Sequence, residues 1–100
     1  MRCIFSLDIT VDTNGKSDED IAKAISTIIV HKSQETNYCF ECRPLIYNNK
    51  NAKLISLYGV LNHQDKLMTK QTINAALLLL VRYGMRILSV KEMIFNGDEQ

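Results

Sequence analysis

Cys39-Phe40-Glu41-Cys42 is the one place where two thiols stand at a spacing that serves zinc or disulfide exchange. Both chemistries need the sulfurs side by side, on a turn or the start of a helix. Here Tyr38, Phe40 and Cys42 alternate with Cys39, Glu41 and Arg43, which predicts a strand. Residues three apart on a strand face opposite ways. Cys3 is the only other thiol, so no second pair completes a site. His31 and His63 could bind a metal or move a proton. A third ligand would have to come from Asp65, Asp98 or Glu99, none at a recognisable spacing. The simpler reading puts His31 in the last turn of a helix, where positive charge is favoured, and His63 at the start of a loop. Asp12, Asp18, Glu19 and Asp20 form an acidic cluster that suits a helix start, or a basic partner. Gly15 and Gly59 are isolated and build no phosphate-cradling loop. No cofactor or metal is expected, and no catalytic set is complete.

The elements that position these residues can be read from periodicity. Cys3, Phe5, Leu7, Ile9 and Val11 alternate with Ser6, Asp8, Thr10 and Asp12, a strand with one buried face. Asp12-Thr13-Asn14-Gly15 reads as a turn. Ser17 and Asp20 resemble a capping box, and Ile21, Ala24, Ile25, Ile28 and Ile29 then recur at helical spacing until Ser33 to Thr36. The second strand follows, and Pro44 puts it at a sheet edge or ends it. Asn48-Asn49-Lys50-Asn51 is a turn into a third strand, Lys53 to Leu61. A second helix starts at Lys66 or Thr69 and runs to Tyr83, with Ile73, Ala76, Leu77, Leu80 and Val81 inward and Gly84 as its stop. Ile87 to Phe95 is the fourth strand, and Gly97 to Gln100 a polar tail expected to be disordered.

The order β-α-β-β-α-β predicts an α+β, ferredoxin-like sandwich: a four-stranded antiparallel sheet with both helices on one face. The helices would cover Cys3, Phe5, Leu7, Ile9, Tyr38, Phe40, Cys42, Ile55, Leu57, Leu61, Leu88 and Val90. The open face would show Ile4, Ser6, Asp8, Thr10, Cys39, Glu41, Arg43, Leu54, Ser56, Tyr58, Val60, Ile87, Ser89 and Lys91.

Composition narrows the classes. One hundred residues form one domain, residues 1–100, and 46% apolar content excludes a disordered chain. Twelve basic against eleven acidic residues leave a net charge of +1, without the basic excess that phosphate binding requires. A base-stacking platform would need aromatics on the central strands, and only Tyr58 is offered. Nucleic acid is therefore not the expected partner. The longest apolar stretch, Ala75 to Val81, is too short to span a membrane. The start of the sequence does not read as a signal peptide. The odd cysteine count then fits reduced thiols and a cytoplasmic location.

Asp8 stands mid-strand on the expected open face. The string Ile4-Phe5-Ser6-Leu7-Asp8-Ile9 resembles the first strand of the small CRISPR-associated and toxin-type ferredoxin-like endoribonucleases. The resemblance covers that one strand. It implies an Asp8 that supports a metal; the residues alone imply a carboxylate paired with Arg43 or Lys91.

Three functions remain. The leading expectation is a binding protein that occupies a protein partner, such as a toxin or enzyme, in the manner of an inhibitor, immunity or anti-defence protein. Its surface would be Ile4, Asp8, Glu41, Arg43, Leu54, Tyr58, Val60 and Ile87, where apolar and charged residues mix as they do at interfaces. The all-round apolar run Leu77 to Val81 adds the possibility of a homodimer. The alternatives are a metal-dependent endoribonuclease using Asp8 and a small-molecule-binding regulatory domain.

Overall fold

The computed structural model describes residues 2–32, 37–47, 50–63 and 65–96, leaving aside the side chains of 28–32, 37–40, 46–47 and 50–51. Of the expected turn Asn48-Asn49-Lys50-Asn51, positions 48–49 lie outside the described residues, while Lys50 and Asn51 already belong to a strand; the tail at 97–100 and the side chains of Ile28, Ile29, His31, Tyr38, Cys39 and Phe40 also lie outside them. Six elements follow in order: β1 (Arg2–Asp12), α1 (Asp18–Lys32), β2 (Asn37–Tyr47), β3 (Lys50–Asn62), α2 (Lys66–Arg82) and β4 (Arg86–Asn96).

The strands form one antiparallel sheet in the order β2-β3-β1-β4. β1 is central and buries every second residue along its whole length. Its buried members Phe5, Leu7, Ile9 and Val11 cluster with Ile55, Leu57 and Leu61 of β3. Ile21 and Ile25 of α1 and Ile73 and Leu80 of α2 join the same cluster, so both helices cover one face of the sheet. That is the ferredoxin-like sandwich. Pro44 sits in β2 opposite Lys53, on an edge strand, where its missing N–H costs the ladder least.

Local signals set the ends of the helices. Ser17 Oγ accepts from Asp20 N at 3.2 Å and starts α1. Asp65 Oδ1 accepts from Met68 N at 2.8 Å and starts α2 at Lys66. At the other end Gly84 N donates to Val81 O and Met85 N to Leu80 O, a Schellman arrangement with Gly84 at φ +89°. Met85 is buried beneath it. Asn14, itself in the left-handed region, donates from Nδ2 to Gly84 O at 2.8 Å. The β1–α1 loop is thereby tied to the turn before β4. Within α2 the inward set needs one correction: Val81 is 52% exposed, while Leu79 is partly buried against the core. The helix lies over the sheet slightly rotated from the face its apolar run suggests.

β4 carries the main departure. Asp8 lies opposite Lys91 and Thr10 opposite Ser89, but Val11 lies opposite Ile87. Leu88 is an extra, unpaired residue, a β-bulge that reverses the alternation before it. Ile87 therefore belongs to the helix-covered side and packs against the core, not on the open face. Leu88, expected beneath the helices, is 37% exposed, and Val90 beside it is 38% exposed although it lies opposite buried Ile9.

Candidate functional site

The register resolves the open face into rows that run across the strands. Glu41, Ser56, Asp8 and Lys91 stand in one row, in the strand order β2, β3, β1, β4. On one side lies Arg43, Leu54, Thr10 and Ser89. On the other lies Cys39, Tyr58, Ser6 and Met93, and beyond it Asn37, Val60, Ile4 and Phe95. The face is thus divided. Its middle is polar and charged; the end where β1 begins is apolar.

In the polar middle, Ser56 Oγ donates to Asp8 Oδ1 at 2.9 Å, and Arg43 Nη2 donates to Ser56 Oγ at 3.3 Å. Asp8 is partly buried between Ser56 and Lys91, while Glu41 and Arg43 are exposed. Contacts of this kind at a surface contribute between 0 and about 1 kcal/mol, so the row adds little to stability. What it offers is a line of charged positions at set register, with Asp8 and Arg43 joined through Ser56. Glu41 and Asp8 share a row but are two strands apart, roughly 10 Å at the usual strand spacing, too far for one ion to bridge directly. Among the described residues no three His, Cys, Asp or Glu side chains gather as a metal would need.

At the apolar end Ile4, Tyr58, Met93 and Phe95 are 42 to 50% exposed, and Val60 is half-buried among them. Together the four expose on the order of 400 Å² of side chain, the size at which surface patches are often functional. Sequence reasoning included Ile4, Tyr58 and Val60 and missed Met93 and Phe95. Both follow Ser89 and Lys91 in strict alternation, which is the signal that finds them.

The remaining candidates are dispersed. Cys39 stands opposite Tyr58 and Cys42 opposite Ile55, so the two positions of the C-x-x-C belong to opposite faces. Burial raises the pKa of the Cys42 thiol. His63 closes β3 with φ +62° at an exposed position; its expected pairing with His31 falls on a side chain outside those described. Asp18 pairs with Lys53 and Glu19 with Lys23, the latter at 3.6 Å, so two of the acidic cluster are engaged within the chain. On the helix side a cleft of about 270 Å³ lies between α1 and the turn after α2, floored by Ala24 and Met85 and edged by Lys16, Asp20 and Tyr83. That is just under the range of about 300–1,000 Å³ usual for ligand pockets. No helix is long and apolar enough to cross a membrane among the described residues.

No protein-family model matches the chain, and no curated protein does. Solved structures do. The chain is similar to the de novo designed protein Foldit4, with TM-score 0.65 and 13% identity over 97% of this chain and 99% of that one. It is similar to the C-terminal domain of the MgtC protein from Mycobacterium tuberculosis, with TM-score 0.60 and 6% identity over 97% and 92%. A dimeric ferredoxin-like protein of unknown function from Thermobifida fusca matches with TM-score 0.54 and 14% identity over 94% and 90%. At these identities the likeness is one of fold. The fold they share does not by itself imply a function.

Proposed function

We propose that this protein is a binding protein that acts by occupying a protein partner through the open face of its sheet. The observation that carries the reading is the apolar end of that face, Ile4, Tyr58, Val60, Met93 and Phe95, set against the ordered charges of Asp8, Glu41, Arg43 and Lys91. Apolar anchors bounded by fixed charges supply what a protein interface uses: area for affinity and charge pattern for selection of the partner. An inhibitor, immunity or anti-defence protein works in this way, needing no reacting group, and its partner would be a toxin or an enzyme. In this reading the protein acts in the cytoplasm, where the free Cys3 and Cys42 stay reduced.

The test is retention of a partner from the native host on the immobilised chain, compared with Tyr58→Glu and Ile4→Glu. Both positions are exposed, so both variants keep the fold, which circular dichroism verifies. The wild type retains a protein that the variants lose. Equal retention by all three would remove the open face from the reading. The endoribonuclease alternative has its own arm: RNA cleavage with a divalent ion, abolished in Asp8→Asn, would overturn the binding reading in its favour.

A further inference from the structure

The open face carries a charge pattern that is complementary to itself. Both helices pack on the other side of the sheet, so no described element covers this side. Its middle row runs Glu41, Ser56, Asp8, Lys91 from β2 to β4. An acid stands at the β2 edge and a base at the β4 edge, and both are exposed. A copy of this row turned end for end sets each of these charges opposite its counter-charge.

Two sheets packed face to face lie about 10 Å apart, with strands crossing at about 30°. A two-fold axis between two copies then lies within about 15° of the strands or of the rows. Only one position of that axis matches the charges over the whole face. An axis across the strands on the middle row would set Glu41, Asp8 and Lys91 each opposite itself, which is unfavourable. Moved toward the apolar end, it would set Lys91 against Met93 or Phe95. Moved toward Arg43, it would carry Ile4 and Phe95 beyond the ends of β1 and β4 of the second copy. An axis along β1 would set Asp8 opposite Asp8, and one along β3 would set Glu41 opposite Asp8. Axes nearer either edge overlap only half of the strands or fewer. The remaining position runs along the strands between β3 and β1. It sets Glu41 opposite Lys91, Asp8 opposite Ser56 and Arg43 opposite Ser89. The apolar end then meets itself. Val60 lies opposite Ile4, and the large Tyr58 opposite the small Ser6. Each of these pairs occurs twice.

We propose that two copies of this chain pack their open faces together about this axis, so that in the free protein a second copy occupies the surface. The inference rests on the reading of the open face as a binding surface. It adds that a host partner taking the same residues must first separate the pair. Four strands at about 4.8 Å and four rows at about 6.8 Å give roughly 500 Å² of flat face per copy. The total of about 1,000 Å², before the relief of the side chains is counted, reaches the size of a specific interface. The crossing of the sheets shifts the outer strands by about 4 Å along each other, a distance that the long Glu41 and Lys91 side chains span. Asp8 keeps Ser56 Oγ of its own chain as a donor, so its carboxylate is not left without one in the interface.

The test is the mass of the full chain in solution by light scattering and sedimentation equilibrium. The wild type is expected at twice the chain mass. Glu41→Lys and Lys91→Glu, both at exposed positions, should each weaken association by about tenfold or more, because each sets like charges opposite at two places. Mixed in equal amounts, the two variants should associate again, since lysines then face glutamates at both places. Leu78→Glu, exposed on the helix side of the sheet, leaves the dimer intact. A wild type that remains monomeric at hundreds of micromolar overturns the proposal. So do single variants that associate like the wild type, a mixture that stays monomeric, or a dimer that Leu78→Glu dissolves. The second copy and the host partner fail separately. A monomer that still retains a host protein through Tyr58 and Ile4 sinks the second copy alone, and a dimer that retains none sinks the host partner alone.

Discussion

Thr69→Val is expected to stabilise the fold by about 1–2 kcal/mol. Thr69 is fully buried in the first turn of α2, and its Oγ1 has no hydrogen-bond partner among the described residues. Its backbone N is satisfied, donating to Asp65 O at 3.0 Å, so the cost falls on the hydroxyl alone. A buried hydroxyl without a partner costs roughly 1–3 kcal/mol by protein mutational measure. Valine has nearly the same shape, so no cavity opens and no neighbour is displaced. Threonine and valine have nearly equal helix propensity, so the backbone contributes little to the difference. At about 4–8 °C per kcal/mol for a domain of this size, the melting temperature rises by on the order of 5–15 °C. Urea denaturation should give a higher midpoint with unchanged slope, because the same surface is exposed on unfolding. An unchanged or lowered midpoint would refute the reasoning, since it would mean that the hydroxyl is hydrogen-bonded in solution. The variant has a use beyond the test: it widens the stability margin in which charged substitutions on the open face can be examined.

Three further outcomes check other parts of the structure. Ile87→Asp should destabilise by about 2 kcal/mol or more, because it sets a carboxylate against the core cluster, while Met93→Asp should stay within about 0.5 kcal/mol in urea denaturation; equal effects would show that β4 has no bulge. Gly84→Ala should cost about 1–2 kcal/mol, as φ is +89° and the added Cβ would stand 3.2 Å from Lys16 Cε, with the loss read as a lowered melting temperature. Burial raises the Cys42 pKa, so its alkylation by iodoacetamide should need higher pH than a free thiol does. The sign for stability follows. The raised folded-state pKa favours the native state while the thiol is neutral, so this contribution is intact below the ordinary thiol pKa of about 8.5 and is lost as pH rises through the folded value. Cys42→Ala should flatten that alkaline decline in a pH series of urea midpoints.

Much of the architecture was legible because each element carries a local period. β1 alternates strictly, Ser17 and Asp65 cap, and Gly84 stops α2 in a conformation that only glycine adopts without strain. Pro44 limited the second strand to an edge or an end through its missing N–H, and the sheet order places it at the edge. The C-x-x-C could be set aside for the same reason, since a strand separates positions three apart onto opposite faces. The candidate surface was legible in part: Ile4, Tyr58 and Val60 lie where alternation puts them. Ile87 does not, because a bulge leaves no mark in the spacing of apolar residues; Leu88 and Ile87 are equally apolar, and either could have been the inward one.

The amino-acid sequence by itself determined the element order, the caps and which residues of β1 face the helices, because these depend on contacts within a few residues or on a backbone period. Only the tertiary structure decided which strands lie side by side. That placement set Asp8 beside Ser56 and within reach of Arg43 through it, gathered Ile4, Tyr58, Met93 and Phe95 at one end of the sheet, and put β4 at an edge. Those residues are separated by up to 91 positions in the chain, from Ile4 to Phe95. No local period couples positions so far apart; only the register of the sheet does.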